Sequence, residues 1–197
     1  MITKNYWTKL AEKYGHSTKS LDYSSDEGQK KRFDVVTQVG IEENCSVLDV
    51  GCGFGDYFNY LNHSKIKNVR YYGIDITEKM VELAKEKNPF ADIMQGNFLD
   101  LPDDKKFDFV INVGFNSVKT GHNWETLTQV LDKMWTLCNK GIAYGAVSTF
   151  AQNQNMYEYT FFVSPIKVID YVMNNLTHKV VFRHDYMPHD FTIYAYK

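Results

Sequence analysis

The chain lacks any uninterrupted apolar run long enough to span a bilayer, and Met1–Leu10 has no apolar core of the secretory kind. It is poor in cysteine: Cys45, Cys52 and Cys138 are its three, with neither the pairing of a disulfide framework nor close metal-ligand spacing. It also lacks an excess of either charge. Its 22 Lys and Arg stand against 24 Asp and Glu, giving a formal net charge of −2, which gives no support to a large phosphate-binding surface. These absences set the expectations of a cytoplasmic protein with no membrane and no nucleic acid among its partners, and with no metal.

What is present is a composition that folds. The apolar fraction is 44% and the charged fraction 23%, and 197 residues suffice for one domain with a sizeable core. We expect residues 1–197 to form a single domain, with 1–40 as an N-terminal helical segment able to act as a lid and 41–197 as the core. Fourteen tyrosines and thirteen phenylalanines are many for this length, enough to fill a thick core or line an amphipathic cavity.

Periodicity divides the chain further. Helices are expected near Tyr6–Tyr14 and Gly28–Val39, the latter from Phe33, Val36 and Val39 at helical spacing. Strands are expected at Ser46–Val50, Val69–Asp75, Ala91–Gln95, Phe107–Val113 and Gly141–Ser148, interleaved with helices at Tyr57–His63, Thr77–Lys87 and Trp124–Asn139. Thr77 is available as a cap. Ser164-Pro165 opens a helix over Ile166–Leu176. Lys179–Asp185 and Phe191–Tyr196 follow with no helix-length spacer between them, so they are expected to pair as an antiparallel hairpin. The alternation predicts an α/β, Rossmann-like fold whose mostly parallel sheet has helices on both faces.

The strongest local signal is Leu48-Asp49-Val50-Gly51-Cys52-Gly53-Phe54-Gly55-Asp56. Glycines after a strand permit a tight turn and let a ligand approach the backbone, at the end of the sheet where open α/β folds bind ligands. The dinucleotide fingerprint requires its third glycine one residue later than Gly55, and bulky Asp56 stands where it needs a small residue. Asp49 would be badly placed beside a pyrophosphate and well placed beside a cation or a hydroxyl. A nucleotide without phosphates fits better. Asp75, ending the second strand, can accept hydrogen bonds from both hydroxyls of a ribose, or serve as a turn residue before the helix. Asn97 has an amide able to read an adenine edge, while Ile76 and Phe98 can flank its faces; a turn residue and a core phenylalanine are the structural alternatives. Val113-Gly114-Phe115-Asn116 gives a further backbone approach.

Together, Val47–Gly55, Tyr72-Gly73-Ile74-Asp75, Gly96-Asn97-Phe98 and Phe107-Asp108-Phe109-Val110 resemble the class I S-adenosylmethionine-dependent methyltransferase family, in the order that family requires. The resemblance implies a seven-stranded sheet with a reversed last strand and S-adenosyl-L-methionine as cofactor. It places Gly51, Gly53 and Gly55 around the methionine part, Asp49 near its ammonium, and Asp75 on the ribose. Asn97 stands where many relatives carry an aspartate. Tyr14, Arg32, Cys52, Ile76, Met80, Phe98 and Val113 complete the expected cofactor-contact set, Arg32 through the methionine carboxylate or an acidic substrate.

The implied activity is methyl transfer, by in-line displacement, to oxygen on a small polar metabolite or sugar-like acceptor. A catalytically inactive cofactor-binding regulatory or partner domain is the alternative. Asn112-Val113-Gly114-Phe115 lacks the two prolines of many nucleic-acid amino methyltransferases. If a base is needed, His122, His184 and His189 are the candidates. Asn153–Phe162, with Tyr157 or Tyr159, is a candidate acceptor-pocket wall, as is a plain packed loop.

Overall fold

The computed structural model describes residues 2–23, 25–152, 154 and 158–197, with Ile2 by backbone alone. Tyr157, Asn153, Asn155 and Met156, from the expected pocket wall, lie outside the described residues.

Strand β1 (Ser46–Val50) is buried at every position, as a central strand covered on both faces must be. It pairs in parallel with β2 (Arg70–Asp75) on one side and β4 (Phe107–Val113) on the other. Beyond β2 lies β3 (Asp92–Gln95), and beyond β4 the long β5 (Cys138–Val147). The last two strands, β6 (Val180–Arg183) and β7 (Asp190–Tyr196), form the expected antiparallel hairpin. β7 inserts between β5 and β6 and runs against both, giving the order β3-β2-β1-β4-β5-β7-β6.

After β1 the chain builds outward through β2 and β3, then returns to place β4 on β1's other side. The connections leaving β1 and β4 therefore diverge at their carboxyl ends, opening a crevice there.

Helices close both faces. On one, α5 (Asn123–Leu137) and α6 (Pro165–Asn175) bury Leu127, Leu131, Met134, Val168 and Val172. On the other, α2 (Asp26–Thr37), α3 (Asp56–His63) and α4 (Glu78–Lys87) bury Phe33, Val36, Tyr57, Leu61, Val81 and Ala84. The N-terminal α1 (Ile2–Tyr14) packs elsewhere: its Ala11 joins Phe54 and Met80, with Trp7, Leu21 and Leu83 around them, beside the glycine turn.

Local chemistry explains most helix starts. Ser25 accepts the Gly28 N–H at 3.1 Å, and Asp26 and Glu27 complement the dipole of α2. Ser164 caps α6 with Pro165 in its first turn. Thr77 occupies the cap position of α4, but its side chain makes no capping bond. Asp75 takes its N–H instead, at 2.7 Å. The junction of α5 and β5 also differs from expectation: the helix ends at Leu137 and the strand begins at Cys138. Their hydrophobic periods run together with no turn residue between them, and a register shift between Phe107 and Phe109 accommodates the early start.

Candidate cofactor and acceptor site

The glycine turn forms the floor of a narrow cleft of about 110 Å³. Gly51 has φ +73°, and a Cβ there would lie 3.2 Å from the Phe115 ring; Gly53 has φ +53°, and a Cβ there would lie 3.0 Å from Leu21. A side chain at either position would be strained and would occupy the space a ligand needs.

Two carboxylates stand behind this turn. Asp75 accepts the Gly53 N–H at 3.0 Å with one oxygen and the Thr77 N–H with the other, so it braces the loop it faces. Burial pushes its carboxyl above the ordinary range, against those two backbone donors. Asp49 accepts the Tyr71 hydroxyl at 2.9 Å. Burial raises its pKa to about 7, the Tyr71 hydrogen bond opposing and the charges of Asp75 and Asp56 adding. With Asp56 the cleft wall carries three carboxylates, and none of its lining residues is Lys or Arg. Asp56 is part-exposed and paired with Lys87, 3.4 Å away, whereas Asp49 and Asp75 are buried with no cation beside them among the described residues, which suits a positively charged ligand and disfavours a phosphate.

The expected cofactor contacts divide in two. Asp49, Gly51, Cys52, Gly53, Asp75, Ile76, Met80, Asn97, Phe98 and Val113 all line this cleft. Phe98 is also a core residue, 3% exposed, so its structural and ligand-facing readings coexist. The Asn97 side-chain oxygen accepts the Leu99 N–H, so part of its hydrogen-bonding capacity serves the short turn it opens.

Three others lie outside it. Gly55 turns its Cα toward Ile93 and Asn88 and serves as the left-handed cap of α3. Tyr14 ends α1 exposed, with the Lys13 ammonium over its ring. Arg32 is drawn away by Asp190, 2.5 Å from its Nε, into a second cavity.

That second cavity, about 550 Å³, opens beside the carboxyl ends of β4 and β5 and the start of β7. Leu21, Tyr23, Val113 and Gly114 border both spaces. Tyr23 is the clearest partition: its hydroxyl donates to the Val113 carbonyl at 3.0 Å, and the Arg32 guanidinium lies 4.8 Å from its ring centre. Burial pushes the Tyr23 hydroxyl up to about 12, against the Arg32 charge, so it stays a donor.

The three candidate histidines separate clearly. His189 borders the second cavity. His122 is exposed at the start of α5, and His184 packs beside Phe150 and Phe182; neither is among the residues lining either space, although the connection that carries His184 also carries His189.

Thr3, Trp7, Leu21, Tyr23, Gln29 and Phe115 also line the cleft, beyond the contacts that the sequence motifs mark. Those from α1 to α2 precede the sheet, where no sequence motif marks an approach to β1. Phe115 belongs to the Val113–Asn116 backbone approach at the end of β4.

Comparison with known proteins agrees with this architecture. A family model described as a methyltransferase domain matches residues 47–141. Demethylmenaquinone methyltransferase of Staphylococcus aureus is 29% identical over 110 residues, 54% of this chain and 44% of that protein. The chain thus matches less than half that relative's length. A Mycobacterium tuberculosis protein provisionally named a methyltransferase is 26% identical across 77% of this chain and 93% of its own. Among solved structures, magnesium protoporphyrin IX methyltransferase from Synechocystis, with S-adenosylhomocysteine bound, superposes with a TM-score of 0.69 at 15% identity, covering 98% of this chain and 93% of that one. An Archaeoglobus fulgidus S-adenosylmethionine-dependent methyltransferase gives 0.68 at 16% identity, covering 98% and 100%. Residues 47–141 thus match a methyltransferase domain, and the sheet order across the chain is that of the class I S-adenosylmethionine-dependent methyltransferase fold.

Proposed function

We propose that the chain moves a methyl group from S-adenosylmethionine to an oxygen of a small-molecule acceptor, the cleft holding the cofactor and the second cavity the acceptor. The observation that carries this reading is the pairing of an anionic, glycine-floored cleft with a larger cavity across one tyrosine. Bound in the cleft, S-adenosylmethionine supplies a methyl whose bond to sulfur breaks as its bond to the acceptor oxygen forms, leaving S-adenosylhomocysteine.

The residues of the chain do the positioning. Asp49 offers its carboxylate to the ammonium, and Gly51 and Gly53 leave room for the methionine part. Asp75 has lone pairs beyond those given to Gly53 and Thr77 and offers them to the ribose. Ile76, Met80 and Phe98 form the apolar surround of the base, with Asn97 at its edge. Trp7, Leu21 and Tyr23 lie over the reacting end and keep water from it. Holding the two reactants in line supplies much of the rate in such a transfer. The acceptor's proton passes to a basic group on the wall of the second cavity, which His189 and Asp190 both border.

Calorimetry of the purified chain is expected to show one site each for S-adenosylmethionine and S-adenosylhomocysteine, and no binding of NAD. A folded protein that binds neither sulfur compound would overturn the assignment. Asp75→Asn is expected to weaken both ligands about tenfold, the lower end of what a charge-assisted hydrogen bond contributes. Equal affinity for mutant and parent would remove Asp75 from the ribose.

A further inference from the structure

Arg32 and Asp190 form an ion pair on the wall of the second cavity, with their side chains 12% and 4% exposed. Each uses only part of its hydrogen-bonding capacity. Nη1 of Arg32 and Oδ1 of Asp190 are buried and have no hydrogen-bond partner among the described residues. Unmet buried donors and acceptors are rare in folded proteins, so an ion pair on a cavity wall that keeps one of each has hydrogen-bonding capacity to offer a ligand once its side chains adjust.

The surroundings hold this pair in place. Arg32 rests on the Tyr23 ring at the partition between the two spaces. Gly28, one turn earlier in α2, leaves room for the guanidinium: a Cβ there would stand 3.3 Å from Nη1. Asp190 begins β7 and so sits at the same end of the sheet as the last residues of β4 and β5.

We infer that this pair recognises the acceptor, and that the acceptor is an uncharged hydroxyl compound with a largely apolar body. This rests on the second cavity being the acceptor pocket. A hydroxyl is both acceptor and donor, so it can serve the Arg32 guanidinium and the Asp190 carboxylate alike. A carboxylate or phosphate would be drawn to Arg32 but would meet the free oxygen of Asp190, and an ammonium would meet the reverse. The pair is neutral in sum and selects a neutral group. Val36, Ala146, Val147, Phe162 and Pro188 on the same wall fit a hydrocarbon ring better than a sugar.

The test uses 2-naphthol, its methyl ether, naphthalene and 2-naphthoate as probes, each titrated into the chain saturated with S-adenosylhomocysteine. Separate calorimetry of the nucleoside comes first. If it does not bind, the cofactor reading fails; if it binds, the naphthyl series tests the pair alone. The parent chain is expected to bind naphthol at least tenfold more tightly than the ether, naphthalene or the carboxylate. Removing one charge of a buried pair endangers folding, so the variant is the double replacement Arg32→Met with Asp190→Leu, which removes both charges together. It is expected to retain nucleoside affinity and to bind naphthol and its ether within about twofold of each other. Preference for naphthoate, parity of naphthol and ether in the parent, no binding of any probe, or a preference that survives in the double variant would each overturn the proposal.

Discussion

Between pH 8 and pH 5, the affinity for S-adenosylmethionine is expected to fall about a hundredfold, and that for S-adenosylhomocysteine alike. The cause is Asp49, whose carboxyl is raised from its ordinary 3.8 to about 7 in the free cleft by burial. A ligand ammonium beside it favours the carboxylate, so binding must first remove the proton, at a cost of about tenfold per pH unit below 7. Calorimetry at pH 6 in buffers of different ionisation heat should show close to one proton released per ligand bound. Asp49→Asn should flatten the profile and abolish that release. The same shift acts on folding. The native state binds this proton more tightly than the unfolded chain, so the contribution is full below pH 4 and is lost as pH rises toward 7. The loss amounts to about 4 kcal/mol. Asp49→Asn should therefore stabilise the ligand-free protein at pH 8 while leaving its stability at pH 4 nearly unchanged, as urea unfolding at the two values would show. A pH-independent affinity in the parent would contradict the placement of the ammonium.

Deleting residues 1–16 is expected to shorten the residence time of S-adenosylhomocysteine about a hundredfold while leaving the sheet folded. Thr3 and Trp7 of α1 line the cofactor cleft, and Ala11 is buried against Phe54 and Met80. Losing one large apolar side chain and its neighbours from such a cover costs about 3 kcal/mol. The segment is also latched: His16 lies 2.8 Å from Asp56 and 2.7 Å from the Lys87 ammonium. Thr3 and Trp7 form part of the cleft wall, so a nucleoside held beneath them leaves most readily when these contacts part. Stopped-flow release of the nucleoside measures the first expectation, and circular dichroism checks the sheet. Hydrogen exchange should report slower exchange over Tyr14–Ser20 when the ligand is bound. Full residence time in the truncated chain would show that α1 is no lid.

The sheet was legible because its strands are short, apolar and punctuated by glycine and by helices of the right length. The glycine turn and Asp75 were legible because their positions follow from strand ends alone. What the sequence hid depends on separation along the chain. Arg32 and Asp190 are distant in sequence, and nothing local marks either as the other's partner, so the sequence leaves Arg32 open to the methionine carboxylate, an acidic substrate or an ordinary salt bridge. Tyr23 and Trp7 come from a mixed segment without strong periodicity, and their approach to β1 is set by packing around Phe54. The end of α5 was misplaced because Leu137 and Cys138 are both buried, leaving no change of pattern where helix becomes strand.

The reversed direction of β7 has a consequence for how new specificity could arise in this scaffold. A strand parallel to β5 would bring its last residue to the ligand-binding end of the sheet; β7 brings its first. The tight connection that precedes it, from His184 to His189, thereby becomes part of the second cavity's wall, the proposed acceptor site, through Tyr186, Pro188 and His189. In the function proposed above, the nucleoside is handled by residues 49–98 together with the cover, whereas this connection lies at residues 184–189. Insertions or exchanges in it would recode which molecule is methylated while sparing the donor's half of the machinery, which makes it a natural graft point for engineering.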